Sequence, residues 1–237
     1  MSNVYFRQLL SGRDFAKDDE IARQMRNFCY LVGDPEAGKA VIVDPAYNVD
    51  DLVEIAEADG MEIVGALATH YHADHVGGTM MGYKLDGIAE LLNRVQIPIH
   101  VQAAEAEFVR KVTGVTDDDL VAHDGSDTMM VGNVPIELIH TPGHTPGSQT
   151  FLVDNHFLGG DTLFIEGCGR TDLPGGDPAE LYTTLTQRLA HVPDEAVLFP
   201  GHLYSVEPSQ TMALTRQYNY VFAPKTAEQW LTMFGGQ

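Results

Sequence analysis

The stretch THYHADHVGG, residues 69–78, places three histidines and one aspartate within six consecutive positions. It follows the apolar run IVGALA (63–68), which is typical of a buried β-strand. Zinc and iron bind neutral imidazoles and carboxylates, and a loop after a buried strand holds such groups rigidly. The pattern therefore predicts that this loop supplies a large part of a metal site through His70, His72, Asp74 and His75.

Three further ligand candidates follow apolar runs later in the chain: His144 in HTPGHTPGS, Asp161 in LGGDTLF and His202 in LFPGHLYS. Each lies among Gly, Pro or Thr, as expected for a side chain at a sheet edge, although any one alone would be interpreted as a turn residue. Together the candidates suffice for two metal ions that share one carboxylate. Because structural zinc sites need only four ligands, usually cysteine-rich, this set predicts a catalytic centre.

The apolar pattern predicts strands and helices in mixed order. The strands are expected at 4–9, 28–32, 40–44, 63–70, 97–101, 134–140, 149–154, 156–161 and 196–202. The helices are expected at 49–60, 103–112, 177–193, 207–218 and 225–234. This order predicts an α/β fold in which two mixed β-sheets pack face to face with helices outside. No linker or repeat divides the chain, so a single domain is expected over 1–237, with a motif-bearing core at about 4–205 and a helical extension at 206–237.

Charge and composition bear on partners and location. Lys and Arg number 14 against 34 Asp and Glu, and the resulting formal charge of −20 repels nucleic acid phosphates and anionic lipids. We therefore expect neither nucleic acid nor a membrane as partner, and a homo-oligomer is left open. No apolar run matches a secretory signal or a span of about 20 residues, so a cytoplasmic protein is expected. Cys29 and Cys168 form no disulfide framework.

The HxHxDH motif at 70–75, followed in order by His144, Asp161 and His202, resembles the metallo-β-lactamase superfamily over about residues 4–205. The resemblance implies the αββα metallo-β-lactamase-type sandwich, in agreement with the layers expected above. It also implies two metal sites that share Asp161. The first comprises His70, His72 and His144, and the second comprises Asp74, His75 and His202.

Within that superfamily, GDTLFIEGCGRTDLPGGD (160–177) and GHLY (201–204) are most similar to glyoxalase II-like thioester hydrolases and persulfide dioxygenases. The resemblance implies that Arg170 and Tyr204 bind anionic or amide groups of the substrate, and the planar guanidinium suits a carboxylate. A structural pairing of Arg170 with the neighbouring Asp172 is the alternative. Cys168 is expected to be a packing residue, because the implied hydrolytic mechanism needs no thiolate.

The resemblance implies two candidate activities on a small thiol-derived substrate. A hydrolase would use two divalent ions, with zinc expected and iron or manganese as alternatives, and a metal-bound hydroxide that Asp74 orients against a thioester or related ester. A persulfide dioxygenase would hold one Fe(II) through His70, His144 and Asp161 and act on glutathione persulfide. The hydrolase is favoured, although both classes contain the same ligand residues. A metallo-nuclease ranks lower because of the negative charge, and a lactamase ranks lower because no secretory signal is present.

Two further groups of residues have expected roles. In the segment 79–96, Met80, Met81 and Tyr83 are candidates for lining a pocket, whereas the helical spacing of the later apolar residues favours core contacts, at Ile88, Leu91, Leu92 and Val95. Five histidines have no matching ligand partners in the sequence. They are expected to be structural or surface residues, and they are His100, His123, His140, His156 and His191.

Overall fold

A computed structural model describes residues 3–235 of the chain. The strands are β1 (Tyr5–Leu10), β2 (Phe28–Asp34), β3 (Lys39–Val43), β4 (Glu62–Leu67), β5 (Gly78–Met80), β6 (Tyr83–Leu85), β7 (Ile99–Gln102), β8 (Leu120–His123), β9 (Asp127–Val131), β10 (Val134–His140), β11 (Gln149–Val153), β12 (His156–Gly160), β13 (Val197–Pro200) and β14 (Gln210–Thr211). The α-helices are α1 (Glu20–Met25), α2 (Val49–Ala58), α3 (Ala73–Val76), α4 (Ile88–Arg94), α5 (Ala103–Thr113), α6 (Pro178–Thr186), α7 (Met212–Tyr218) and α8 (Ala227–Phe234).

The strands form two six-stranded mixed sheets and a small hairpin. The first sheet has the order β1-β2-β3-β4-β7-β8, antiparallel up to β3 and parallel from β3 to β8. The second has the order β14-β13-β12-β11-β10-β9, in which only the β12–β13 pair is parallel. Strands β5 and β6 pair only with each other among the described strands.

Successive side chains along a strand point to opposite faces of its sheet and so contribute to different hydrophobic cores. In β2, Phe28 and Val32 point into the core between the two sheets, whereas Leu31 packs into a second core under the helices of the first sheet. A third core lies outside the second sheet, where Leu181 of α6 and Trp230 of α8 are buried. The order of layers is therefore helix, sheet, sheet, helix, and the predicted αββα sandwich is confirmed.

All the predicted strands are present, but several boundaries differ. The strand expected at 63–70 ends at Leu67, which leaves residues 68–72 in a loop. The helix expected at 177–193 is wrong in extent, because α6 ends at Thr186 and a separate 3₁₀ turn covers Arg188–His191. The threonines of the last turns of α6 are weak helix formers, which favours that early end. The helix expected at 207–218 begins only at Met212, because Gln210–Thr211 pairs with β13.

The segment 79–96 forms the hairpin β5–β6 and helix α4. The hairpin packs closely on α5, since a Cβ at Gly78 would lie 2.7 Å from a Val112 methyl carbon. Ile88 and Leu91 are fully buried, as expected for core residues. None of the helices within residues 3–235 is long and apolar enough to cross a membrane. The single-domain assignment of 1–237 stays a prediction, and its residues 1–2 and 236–237 lie outside the described part.

Candidate metal centre

Three histidines from two loops form the first half-site. His70 follows β4, His72 immediately precedes α3, and His144 lies in the loop between β10 and β11. One ring nitrogen of each lies within 4.8 Å of the others. His72 Nδ1 and His144 Nε2 are 3.1 Å apart. These three nitrogens could hold one metal ion.

The second half-site comprises Asp74 and His75, both on the short helix α3, and His202, which follows β13. His75 Nε2 and His202 Nε2 are 3.2 Å apart, and Asp74 Oδ2 lies 3.4 Å from His202 Nε2. All three residues are buried. This cluster could hold a second ion.

Asp161, which follows β12, lies between the half-sites. Its Oδ1 is 3.4 Å from His75 Nε2, and its Oδ2 is 3.5 Å from His202 Nε2 and 3.8 Å from His144 Nε2. Gly201 allows this position, because a Cβ there would lie 2.3 Å from Asp161 Oδ1. One carboxylate therefore faces both half-sites.

Unpaired buried atoms test whether a metal suits this cluster. In residues 3–235, only three buried side-chain atoms lack a hydrogen-bond partner, and two of them are His70 Nε2 and Asp161 Oδ1. Buried polar atoms without partners are rare in native proteins, and a bound ion can satisfy them. The mixture of imidazole and carboxylate donors suits zinc, iron or manganese. The residues therefore fit the metals that the sequence predicted.

Glu105 on α5 supports the first half-site from behind. Its carboxylate accepts hydrogen bonds from the backbone N–H of Tyr71 at 2.7 Å, the Thr145 hydroxyl at 2.8 Å and the Gly147 N–H at 2.7 Å. Tyr71 lies between two of the ligand histidines, and Thr145 follows the third. Burial raises the pKa of Glu105 to about 7, although the hydrogen bonds oppose this rise. One buried carboxylate therefore joins both loops of the first half-site.

Asn27 supports the second half-site. Its Nδ2 donates to Asp74 Oδ2 at 3.1 Å and to the Asp74 backbone carbonyl at 3.0 Å. Its Oδ1 accepts from the Tyr47 hydroxyl at 2.7 Å, which fixes the amide orientation. Asn27 is 1% exposed, so these bonds are shielded from water. The amide therefore holds Asp74 toward the second half-site.

Asp44 supports both half-sites. Its carboxylate accepts from the Thr69 N–H and hydroxyl, each at 2.7 Å, and lies 2.9 Å from His75 Nδ1. The Thr69 oxygen is in turn 2.9 Å from His70 Nδ1. Hydrogen bonds of this kind fix the tautomer and orientation of imidazole ligands. Asp44 has a φ of 54°, an uncommon conformation for a non-glycine residue.

Two further imidazole nitrogens, on His144 and His202, bond backbone carbonyls. His144 Nδ1 lies 2.7 Å from the Arg170 carbonyl oxygen, and His202 Nδ1 lies 2.9 Å from that of Met25. Each Nδ1 therefore serves as donor, and it is Nε2 that is turned toward the cluster and can bind a metal ion when it is deprotonated. The backbone of the GCGRTD loop thus orients one ligand, whatever the side chain of Arg170 does.

The two half-sites have opposite pKa shifts. Burial, together with the neighbouring imidazoles, lowers the pKa of His70 well below its usual value and that of His72 to about 4. Burial alone would also lower the pKa of His75, but Asp161, Asp74 and Asp44 raise it to about 9. Burial opposes protonation of His202 as well, but Asp161 and Asp74 raise its pKa well above the usual value. These directions favour protonation of the second half-site over the first when no metal is bound.

A cavity of about 710 Å³ opens onto the metal-ligand cluster. Met80 and Met81 line it, as their position in the sequence suggested, but Tyr83 does not. Cys168 also lines it, and burial raises the pKa of its thiol to about 12, so it is not a thiolate at neutral pH. A larger groove of about 920 Å³ beside α2 is lined by six acidic side chains and two lysines, among other residues, and by none of the seven ligand candidates.

Arg170 and Tyr204, the two predicted substrate-binding residues, both line the cavity beside the metal-ligand cluster. The Arg170 guanidinium makes a two-pronged ion pair with Asp172, at 2.6 and 2.5 Å, so the alternative structural pairing is formed. The Tyr204 ring stacks on the His202 ring with centroids 4.6 Å apart, and the residue is 57% exposed. Contact of either side chain with substrate stays a prediction.

The other five histidines lie outside the cluster. His100 Nδ1 is 2.9 Å from His123 Nε2, and His123 Nδ1 is 2.9 Å from Asp127. His140 contacts the Pro146 carbonyl, and His191 pairs with Glu137 at the surface. His156 stacks on Phe6. These partners agree with the expected structural or surface roles.

Comparison with known proteins places the chain in a family. The sequence profile of the metallo-beta-lactamase superfamily matches residues 23–202. The human mitochondrial persulfide dioxygenase ETHE1 is 31% identical over 207 residues, which cover 84% of this chain and 74% of that protein. The hydroxyacylglutathione hydrolase of Nitrosococcus oceani is 34% identical over 200 residues, which cover 83% of this chain and 69% of that protein.

A solved structure gives the same result for the fold. The crystal structure of ETHE1 from Myxococcus xanthus superposes with a TM-score of 0.78 at 27% sequence identity, covering 98% of this chain and 90% of that one. The match over residues 23–202 includes all seven ligand candidates, from His70 to His202, and two relatives are more than 30% identical to the chain. The chain belongs to the metallo-beta-lactamase superfamily.

Proposed function

We propose that the protein is a hydrolase with two divalent metal ions, zinc being the expected metal, and that it cleaves a thioester or a related small-molecule ester. The observation that supports this proposal is the pairing of two half-sites of three residues each around one carboxylate, Asp161. A pair of ions sharing a carboxylate is typical of two-metal hydrolytic sites. The similarity to a hydroxyacylglutathione hydrolase is consistent with this chemistry.

Bound metals of this kind lower the pKa of a coordinated water from about 16 toward 7 and polarise a carbonyl oxygen. The protein's own residues would orient the attacking water and accept its hydrogen bond. Burial opposes ionisation of Asp74, but His75, His202 and Asn27 keep its pKa well below the usual range. Asp74 is therefore an anion that can accept a hydrogen bond from the attacking water. A thiolate leaves without a general acid, so the mechanism needs no further titratable group.

Arg170 and Tyr204 are the side chains that we expect to contact the substrate. Both line the cavity, and Tyr204 lies directly against the ligand His202. The Arg170 donors not used by Asp172 suit an amide oxygen. In this proposal the two residues hold the part of the substrate that does not react.

A persulfide dioxygenase is the second candidate, and the structural similarity to ETHE1 from Myxococcus xanthus supports it. In that case one Fe(II) would be held by His70, His144 and Asp161. The second half-site would then have no assigned metal, although its three residues are buried and mutually oriented. Both classes contain these residues, and the hydrolase is ranked first because its two ions would occupy both half-sites.

The test compares two reactions on the same metal-loaded preparation. We expect release of free thiol from an acyl thioester and no oxygen consumption with glutathione persulfide. His72→Ala should abolish thiol release and reduce bound metal, whereas the matched surface variant His191→Ala should retain both. Oxygen consumption without thioester cleavage would overturn the hydrolase proposal.

A further inference from the structure

The wall of the cavity beside the metal centre is mainly apolar. Apart from the metal-ligand candidates, its lining includes these large apolar or aromatic side chains: Met25, Met80, Val112, Phe164, Leu173 and Tyr220. Apolar linings of this kind bind apolar ligand surface, and flexible methionines adapt to its shape. A substrate that fills the cavity therefore buries hydrocarbon against these residues.

The mouth of the cavity is also apolar. Met81 is 83% exposed, Tyr204 is 57% exposed and Tyr220 is 54% exposed, and all three line the cavity. Met81 is carried on the tip of the β5–β6 hairpin. Large apolar side chains grouped at a cavity mouth are typical of a binding surface. A ligand that covers them gains free energy from apolar contact rather than from charge.

Charged groups in the lining give the second observation. Among the described lining residues that are not metal ligands, only Glu166 and Arg170 carry charge. The Arg170 guanidinium is already neutralised by Asp172 at 2.5 and 2.6 Å, whereas Glu166 forms no ion pair within residues 3–235. The cavity wall therefore presents an unpaired carboxylate and no unpaired cation. A ligand with free carboxylates would meet like charge there.

We propose that the substrate has an uncharged thiol part and an apolar acyl part, and that the cavity discriminates against glutathione conjugates, whose two carboxylates and one ammonium leave a net negative charge. This inference rests on the proposed function and specifies its substrate class. The amide of an acylated aminothiol would meet Arg170 and Tyr204, while its acyl chain packs on the methionines. Glu166 supplies the discrimination, because it repels the net negative charge of a glutathione conjugate and the only cation of the described lining, Arg170, is already paired with Asp172.

Binding of thioethers, which cannot be hydrolysed, tests the inference apart from catalysis. Calorimetry on the zinc-loaded protein at low ionic strength compares S-hexyl-N-acetylcysteamine with S-hexylglutathione. We expect the neutral compound to bind about tenfold or more tightly, and S-hexyl to exceed S-methyl by a similar factor. Equal or tighter binding of S-hexylglutathione would overturn the inference.

Glu166→Gln tests the source of the discrimination. We expect it to tighten S-hexylglutathione binding by about threefold relative to the neutral compound, and added salt should reduce this change. The matched control is Glu62→Gln, which makes the same charge change at the opposite end of β4 from His70 and should leave the ratio unaltered. An unchanged ratio in Glu166→Gln would remove Glu166 from the inference.

A parallel measurement keeps the substrate class separate from the activity. The same protein is assayed for thiol release from hexanoyl-N-acetylcysteamine and hexanoylglutathione. Cleavage of the first at the higher kcat/KM supports both proposals. Cleavage that favours the glutathione thioester contradicts the inference alone. No cleavage of either compound, with two zinc ions bound, contradicts the proposed hydrolase, and the thioether result still decides which ligand class the cavity binds.

Discussion

The two half-sites share Asp161 and lie side by side, but they are built differently. The first has three imidazoles whose pKa values burial lowers, and a single buried carboxylate, Glu105, ties its loops together. The second has imidazoles whose pKa values are raised by carboxylates, and an amide, Asn27, holds its Asp74. The first half-site is therefore ready to accept a metal at neutral pH, whereas the second must first release protons.

The difference suggests how two neighbouring ions can differ in affinity. A ligand set that is neutral before metal arrives loses no protons on binding, so its affinity varies little with pH above its pKa values. A set that holds protons binds metal in competition with them. Substitution of Asp161, Glu105 or Asn27 should abolish this difference in metal affinity between the half-sites. Measuring metal affinity as a function of pH should quantify the difference.

The largest effect is expected from Asp161→Ala, because this carboxylate faces both half-sites. We expect bound metal to fall and thioester turnover to drop by more than about a hundredfold, since even residues outside the ligand sphere cost about 10–100-fold. Elemental analysis, circular dichroism and a turnover assay would measure this on one preparation. Full activity in metal-depleted Asp161→Ala would show that Asp161 is not a shared metal ligand.

Glu105→Gln is expected to weaken one of the two bound ions by about 10–100-fold in affinity. The amide N–H₂ of glutamine would face donors that now bond the carboxylate, which loosens the loops of the first half-site. Titration with a chelator at pH 7 would show one ion released early and one retained.

Asn27→Ala is the matched variant for the second half-site, because it removes the donor to Asp74. Asn27→Ala should retain the ion of the first half-site, whose affinity should depend weakly on pH. Glu105→Gln should retain the ion of the second half-site, whose affinity should depend more strongly on pH. Simultaneous loss of both ions in each variant would mean that the half-sites do not bind independently.

The metal-free protein should lose stability as pH rises from about 6.5 to 9. The pKa of His75 is raised to about 9, against about 6.5 in an unfolded chain, so its contribution is complete below 6.5 and is lost as pH rises through 9. The first half-site has the opposite sign, because the pKa of His72 is lowered to about 4 and its penalty develops as pH falls from 6.5 to 4.

Thermal unfolding of metal-free protein across this range measures the contrast. We expect Tm to fall by about 4 °C or more between pH 6.5 and 9, since each 1 kcal/mol moves the Tm of a chain of this size by roughly 2–4 °C. Zinc-saturated protein is the control and should lack the decline, because metal replaces the protons. A Tm that rises over the same range would contradict the assigned pKa directions.

Arg170→Ala should have the smallest effect. Its backbone carbonyl, which orients His144, is retained, so both half-sites should keep their metal. We expect KM to rise by about threefold with kcat nearly unchanged, as for a lost polar contact to substrate. An unchanged KM for the true substrate would limit the Arg170 side chain to its ion pair with Asp172.

The cluster of seven ligand candidates could be predicted because its signal is local. Four of them fall within HYHADH, and the other three each follow an apolar run beside Gly, Pro or Thr. The strands could be predicted for a similar reason, since buried strands are apolar runs. The short strands β8, β9 and β14 could not be predicted, because they are brief and partly polar, and their pairing depends on tertiary neighbours.

The supporting residues could not be predicted in this way. Glu105 and Glu107 look alike in AAEAEFV, yet Glu105 is 1% exposed and Glu107 is at the surface. Only the approach of two distant loops distinguishes them. Asn27 likewise precedes a strand without any local sign of its bond to Asp74. Asp44 alone had a usable signal, as the polar end of the buried run AVIVD.

The most direct test of the two-metal hydrolase is metal identity and stoichiometry on protein purified without added metal or chelator. Elemental analysis should be coupled, on that preparation, to thiol release from an acyl thioester and to oxygen consumption with glutathione persulfide. We predict about two zinc ions per chain, thiol release and no oxygen consumption. About one iron per chain with oxygen consumption and no thiol release would contradict the two-metal hydrolase.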